Sequence, residues 1–358
     1  MAVYKHNENP NAFVRTMRKV YKPIGFKKGY NFTLWFIFGG ALIGFILARF
    51  MYLNDSILKA NAAPGEWFWY NQSFYKAAIK LHLATILPAA FLAVLQFTPI
   101  IRYKLLTFHR VNGYLVILLL LIGNVGALMG ARHAFGGSLA TQFLIGLLAV
   151  STTVSAVLSY INIKRLQIEQ HRAWMLRCWF YAGSIITLRL IMIITALIIS
   201  SLPDFYYAES CEVMAFTAGA EKVAALYPAC AADPTGYASV QAKLLGADSI
   251  LNAMAALHAS FGMAGLLALL IHALGVELYL TLTPAEAERL RKVSYERQLE
   301  RGFSHPGSAG ITVDRLGDAE EWRPPVDNKT EKAVAACIES DNESMSEVSR
   351  PKPTMGWH

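Results

Sequence analysis

The sequence predicts an all-α fold: a polytopic bundle of six transmembrane helices, with both termini cytosolic and a disordered C-terminal tail. Three observations predict it. Hydrophobic residues make up 54% of the 358 positions and charged residues only 16%, and the mean hydropathy of +0.35 is too high for a soluble chain of this size. Six apolar runs, at about 32–53, 77–101, 111–131, 139–163, 174–201 and 249–282, each supply the roughly 20 residues that cross about 30 Å of hydrocarbon as a helix. Lysine and arginine collect in alternate gaps between these runs, which sets the orientation.

Taken in order, residues 1–30 form a basic cytosolic segment with Lys5, Arg15, Arg18, Lys19, Lys22, Lys27 and Lys28. It has no short apolar core followed by a small-residue cleavage site, so the first apolar run is expected to serve as the anchor. The transmembrane domain occupies 31–283. Arg102, Lys104 and Arg110, then Lys164, Arg165 and Arg172, then Arg289, Arg291 and Lys292 all fall on the side of the N-terminus. The net charge of +8 is spread over these short clusters, a mark of topology and not of a nucleic-acid surface, so no nucleic-acid partner is expected.

The opposite side carries a loop at about 202–248 in which Asp204, Glu209, Glu212, Glu221, Asp233 and Asp248 outnumber Lys222 and Lys243. That suits a lumenal segment in the endoplasmic reticulum or another endomembrane. An oxidising compartment allows Cys211 and Cys230 to pair, while the cysteine count leaves the connectivity open. With Cys178 and Cys337 the four cysteines are scattered and show no zinc spacing. Asn54 and Asn71 head glycosylation sequons in the first outer loop, and the sequons at Asn328 and Asn342 are expected to be silent in a cytosolic tail. That tail, 284–358, reads as helical through AEAERLRKVSYERQLERG and as disordered from about Ser304, where apolar periodicity ends. Within the bundle, Gly40 with Gly44 and Gly126 with Gly130 are spaced for close helix approach, and Pro88 predicts a kink.

Histidine is the informative polar residue, being costly in lipid and titrating near neutral pH. His82, His133 and His258 fall toward the outer surface, and His109, His171 and His272 toward the inner one. His133, beside Arg132, reads as an interfacial residue. His258 and His272 suit hydrogen bonds between helices at least as well as chemistry. His109 and His171 differ, because each is followed by Arg and then by a span, in FHRVNGY and QHRAWMLR, with Gly113, Tyr114, Trp174 and Arg177 close by. Arg189 lies in the middle of CWFYAGSIITLRLIMIITALIIS, where a guanidinium costs at least a few kcal/mol unless it faces other helices, water or a ligand. At 100° per residue, His171 and Arg189 share one face of the fifth span about 27 Å apart, so Arg189 is expected to point into whatever the His171 face lines. Gln96, Asn124, Tyr181 and Thr187 could complete a buried site, though each taken singly reads as structural.

The combination LHLATILPAAFLAVLQFTPIIRYKLLTFHRVNGY with HRAWMLRCWFYAGSIITLRL resembles the motif set of a family of predicted membrane proteins formerly of unknown function. Some fungal members of that family are membrane-bound terpene cyclases of the ascochlorin and macrophorin meroterpenoid type. The likeness covers roughly residues 75–200 and falls on His82, Gln96, His109, Arg110, Gly113, Tyr114, His171, Arg172, Trp174, Met175, Arg177 and Arg189. It implies an isomerase-type cyclisation in secondary metabolism, without a cofactor. A farnesyl-type chain on an aromatic or epoxycyclohexenone head is protonated at an epoxide or terminal alkene, and the carbocation is then captured. The partners so implied are a prenylated small molecule and the lipid bilayer. His82, His109, Arg110, His171, Arg177 and Arg189 become the catalytic candidates, with a protonated histidine, Glu277 or Glu169 as the acid. The absence of DDxxD or NSE-like acidic clusters fits a mechanism without magnesium-bound diphosphate. An imidazolium is a weak acid for an alkene and a better one for an epoxide, which favours epoxide opening.

A second class stays open, an electron carrier holding b-type haem between His82 and His258, or between His109 and either His171 or His272. Against it, His109 and His171 fall at helix ends. A channel or transporter ranks below both for want of inverted repeats and paired broken helices.

Overall fold

The structure, a computed structural model, describes residues 11–324. Among them six helices are long and apolar enough to cross a membrane: Gly29–Leu53, Ser73–Gln96, Leu106–Gly130, Leu139–Lys164, Ile168–Ser200 and Ile250–Thr281. The chain is an all-α, multi-pass membrane protein, and the spans coincide with the six apolar runs. The described residues form two compact units, 11–160 with 171–284, and 161–170 with 285–324.

The first unit begins with α1 (Ala12–Tyr21), whose N-terminus is capped by Asn11: its side-chain oxygen accepts from the Val14 amide at 2.9 Å. There follow α2 (Gly29–Phe50), α3 (Asp55–Asn61), α4 (Glu66–Tyr70), α5 (Ser73–Gln96), α6 (Pro99–Lys104), α7 (Leu106–Gly130), α8 (Leu139–Lys164) and α9 (Ile168–Ser200). The outer loop is β1 (Tyr206–Ser210), α10 (Cys211–Ala218), α11 (Ala220–Leu226), α12 (Pro228–Ala232) and β2 (Tyr237–Gln241), after which the chain returns as α13 (Ile250–Thr281). Large apolar side chains such as Leu118, Phe143, Ile194 and Leu274 are exposed on the spans, as suits surfaces that meet acyl tails.

Lipid tails are as apolar as leucine, so burial alone cannot hold span to span, and small residues and hydrogen bonds carry that task. Between α5 and α7, a Cβ on Gly126 would stand 2.7 Å from the His82 amide nitrogen, and Gln96 Nε2 donates to the His109 carbonyl at 2.8 Å. Asn124 joins α7 to α8 through the Thr152 and Thr153 hydroxyls, both at 3.0 Å. His272 joins α13 to α9 through the Phe180 carbonyl at 2.7 Å and the Thr187 hydroxyl at 2.8 Å. A Cβ added at Gly40, Gly44 or Gly130 would meet nothing of a neighbouring element within 4 Å, which corrects the close approach expected of them. On α2 the reason is rotational, since Ile46, on a different face, is what packs against Leu83, Leu87 and Ala90. α5 continues through Pro88 as one helix.

The acidic outer loop is folded. Tyr206 to Ser210 pair antiparallel with Gln241 to Tyr237, a disulfide joins Cys211 to Cys230, and Met214, Val223, Val240, Leu251 and Met254 bury a common core with them. Beside it, Asn54 caps α3 through the Ser56 and Ile57 amides, and both Asn54 and Asn71 are exposed.

The second unit holds α14 from Ala285 onward (Pro284–Glu300 in full) and the turn between α8 and α9. Its order extends past Ser304, where the sequence predicted it to end. The cause is polar. Gly307 N donates to Gln298 Oε1 at 2.6 Å, Gly310 N to Gln167 Oε1 at 2.9 Å and Ile311 N to Asn162 Oδ1 at 2.8 Å, while Arg291 pairs with Asp314 at 2.8 Å. Hydrogen bonds from loop backbone N–H groups to buried side-chain amide oxygens leave no apolar periodicity to detect. Asn328, Cys337 and Asn342 lie outside the described residues.

Candidate active site

A buried acid stands at the outer end of the first unit. Glu66 opens α4, immediately after Gly65, whose φ of 86° is a conformation that suits glycine. Its side chain is almost fully enclosed, with the residue 2% exposed. Glu66 Oε2 accepts from the Tyr70 hydroxyl at 2.9 Å, and Oε1 accepts from the Phe135 amide at 2.9 Å. Burial pushes the Glu66 carboxyl above its ordinary value, against the opposing pull of His258, Tyr70, the Phe135 amide and Arg189. Burial beside Glu66 also pushes the Tyr70 phenol well up, so it stays a hydrogen-bond donor.

Behind the acid lies an imidazole held by a second carboxylate. His258 of α13 has Nδ1 at 2.8 Å from Glu209 Oε1, on β1, and Nε2 at 3.7 Å from Glu66 Oε1. All three are buried. With Nδ1–H given to Glu209, the nitrogen facing Glu66 is the one free to exchange a proton, and it has no hydrogen-bond partner. Tyr207, on the same strand as Glu209, donates to the Gly136 carbonyl at 3.1 Å, and burial beside Glu209 pushes its phenol to about 12.

The turn between α7 and α8 closes the cluster. Phe135 adopts φ 45°, ψ 57°, a left-handed conformation unusual for a bulky residue, and it is held there by the hydrogen bond its N–H donates to Glu66 and by stacking on Phe261 with centroids 4.0 Å apart. Next to it, a Cβ on Gly136 would stand 2.7 Å from the Tyr207 hydroxyl and 2.8 Å from His258 Nδ1, so glycine is required for the turn to approach so closely. Arg189 of α9 places its guanidinium 4.8 Å from the Phe135 ring centre and 5.4 Å from that of Phe261, with Nε buried and without a hydrogen-bond partner. A buried acid, a relay imidazole and two aromatic faces that already carry a cation are thus assembled within one unit.

Of the residues singled out from sequence, His109, Arg110 and His171 lie near one another, while His82 and Arg177 have partners elsewhere. His258, which the sequence offered as an interhelical hydrogen bond or a haem ligand, belongs to the cluster around Glu66, and so does Arg189. Arg189 does not share a site with His171, since the two stand some 18 residues apart on a continuous helix, about 27 Å. His171 bonds the Ser159 hydroxyl at 2.7 Å, between α9 and α8. His109 lies near His171, Arg102 and Arg110, and its Nδ1 is buried without a hydrogen-bond partner, while Arg110 itself is exposed. His82 Nδ1 is engaged at 2.8 Å by the Gly123 carbonyl, a helix-to-helix contact. Arg177 grips Glu277 in two hydrogen bonds, at 2.6 and 2.9 Å, and lies over Trp174. Glu169, the other acid proposed, bonds Ser294 and Gln167 within the second unit. His133 stacks on Trp69 with centroids 3.6 Å apart.

Glu66, Tyr70, Phe135 and Glu209 were not singled out by sequence. The available signals were an acid set in the aromatic run PGEWFWY, where charge is out of place, and an aromatic followed by two glycines in AFGG. Glu209 was hidden among the other acids of its loop. For the haem alternative, His258 Nε2, the nitrogen left for iron, has the Glu66 carboxyl group 3.7 Å in front of it, and His82 Nδ1 is engaged by Gly123, so the residues present do not fit a ligand pair of His82 with His258.

Residues 79–223 match a family described as "Predicted membrane protein (DUF2306)", a stretch that includes Phe135, Arg189 and Glu209 as well as the histidine and arginine motifs. Ava biosynthesis cluster protein G of Aspergillus versicolor is 26% identical over 330 residues, covering 76% of this chain and 94% of that protein. No solved structure matches.

Proposed function

We propose that this protein is a membrane-bound terpene cyclase of secondary metabolism that folds a prenyl chain into rings by acid catalysis, with Glu66 as the proton donor. The observation that carries the proposal is the buried Glu66 carboxyl, biased toward its protonated form and set beside stacked aromatic faces. The name of the Aspergillus versicolor relative, a biosynthesis cluster protein, supports a role in a biosynthetic pathway. A farnesyl-type chain dissolves in hydrocarbon and reaches the site laterally from the bilayer. Glu66 gives its proton to an epoxide oxygen of the chain; the C–O bond breaks as the π electrons of a neighbouring alkene form the new C–C bond. The resulting cation ends by losing a proton to His258, from which Glu66 is reprotonated. Atoms balance, so product and substrate are isomers. Arg189, whose Nε lacks an acceptor, favours an epoxide over a bare alkene, because only the epoxide offers it an oxygen. The lumenal face of the endoplasmic reticulum, or of another endomembrane, suits the disulfide-bearing loop that supplies Glu209.

The test is expression of the full chain in microsomes with a farnesyl-type prenylated epoxide, followed by mass spectrometry. An isomer of unchanged mass is expected from the wild type and from His171→Ala. Glu66→Gln and Arg189→Ala should lose turnover by about 100-fold or more with expression intact, in line with loss of a general acid. Full turnover by Glu66→Gln removes the assignment, and loss in His171→Ala with retention in Glu66→Gln moves the chemistry to the inner side.

A further inference from the structure

The site above leaves α1 unused, and its design is independent of the proposed chemistry. Phe13, Met17 and Val20 recur along one stripe of this helix, with Phe13 71% and Val20 44% exposed. On the other side Arg15, Arg18, Lys19 and Lys22, with Pro23, line an open cleft of about 690 Å³. The segment 11–28 adds Lys27 and Lys28 and contains no Asp or Glu. Among the described residues none of the four cleft cations has an acidic partner.

The helix is moored at its C-terminal end. Tyr21 and Phe26 are buried against Phe32 at the start of α2, and the Ile100 amide of α6 donates to the Ile24 carbonyl at 3.0 Å. Gly25, at φ 95°, makes that contact possible, since a Cβ there would stand 2.9 Å from Ile100 N. α1 is therefore held beside the first residues of a membrane span, where the polar boundary of the bilayer lies. A ten-residue helix has little stability of its own and needs a surface to complete it.

We propose that α1 is a docking helix for anionic phospholipid headgroups, its Phe13 and Val20 edge entering the acyl boundary and its cationic cleft taking the phosphates and carboxylates of the leaflet it faces. Charge complementarity and position choose this occupant. A soluble acidic partner satisfies the cations but leaves the apolar stripe in water, whereas a bilayer boundary satisfies both.

The full chain is reconstituted in nanodiscs of phosphatidylcholine, with or without about 30% phosphatidylserine, and chymotryptic cleavage after Phe13 is timed. Phosphatidylserine should slow cleavage on the order of tenfold, and about 0.5 M NaCl should restore the rate by screening. R15Q/R18Q/K19Q/K22Q should cleave at one rate in both lipids, and the milder K19Q/K22Q should show a reduced difference. Equal rates for the wild type in the two lipids overturn the proposal. So does protection by heparin in detergent without protection by phosphatidylserine, which assigns the cleft to a soluble polyanion. Cyclase activity is not read, so the outcome is separate from the fate of the catalytic proposal.

Discussion

At the scale of single residues, the protonation of Glu66 decides most. Because burial raises its pKa in the folded chain, the folded state keeps a proton that the unfolded chain releases near the ordinary 4.5. Stability is then lost as pH rises from there through the folded value, where the enclosed carboxyl ionises. Glu66→Gln cannot ionise. The melting temperature of the detergent-solubilised wild type should therefore fall relative to Glu66→Gln as pH rises across that window, and parallel curves would contradict the raised value. Arg189→Lys is expected to be a poor substitute, because an ammonium lacks the planar face that lies over Phe135 and Phe261. Isomer formation by Arg189→Lys at the wild-type rate would show that charge alone is used.

At the scale of elements, the glycines of α7 part company. Gly126 touches the backbone of α5 at His82 and Ala78, so Gly126→Ala should destabilise by roughly 1–3 kcal/mol, as overpacking does. Gly130 faces open space, and Gly130→Ala should be neutral or stabilising by up to about 1 kcal/mol. Thermal melts of the two variants in one detergent compare them directly. The outer loop holds Glu209 through β1, which leads straight into Cys211. Cys230→Ser opens a closure of 19 residues and should cost about 2–4 kcal/mol. It should also lower turnover by loosening the Glu209 to His258 contact, and a variant with reduced melting temperature but full activity would show that Glu209 does not depend on the bridge.

At the scale of the whole molecule, the second unit makes truncation position-dependent. A chain ending at Glu300 lacks Gly307, Gly310, Ile311 and Asp314, and so leaves Gln298, Gln167, Asn162 and Arg291 without those partners. A chain ending at Pro324 keeps them all. Limited proteolysis should find α14 cut rapidly in the shorter chain and protected in the longer, and equal protection would show that the polar network does not order the unit. The length of the apolar runs and the spacing of Lys and Arg were enough to predict six spans, because hydrocarbon thickness is a one-dimensional constraint that any local window of sequence can meet. The polar clamps were partly legible, as His272, Asn124 and Gln96 stand out against apolar neighbours. What sequence alone could not decide was which polar groups meet. Glu66, Phe135, Arg189, Glu209 and His258 come from α4, a tight turn, α9, β1 and α13, and their proximity depends on helix rotation and on how the outer loop folds back. Those are long-range geometric facts with no local period, so a histidine-centred motif near the inner surface looked richer in chemistry than a lone glutamate among tryptophans. Only tertiary packing, by burying that glutamate, makes it the stronger acid candidate.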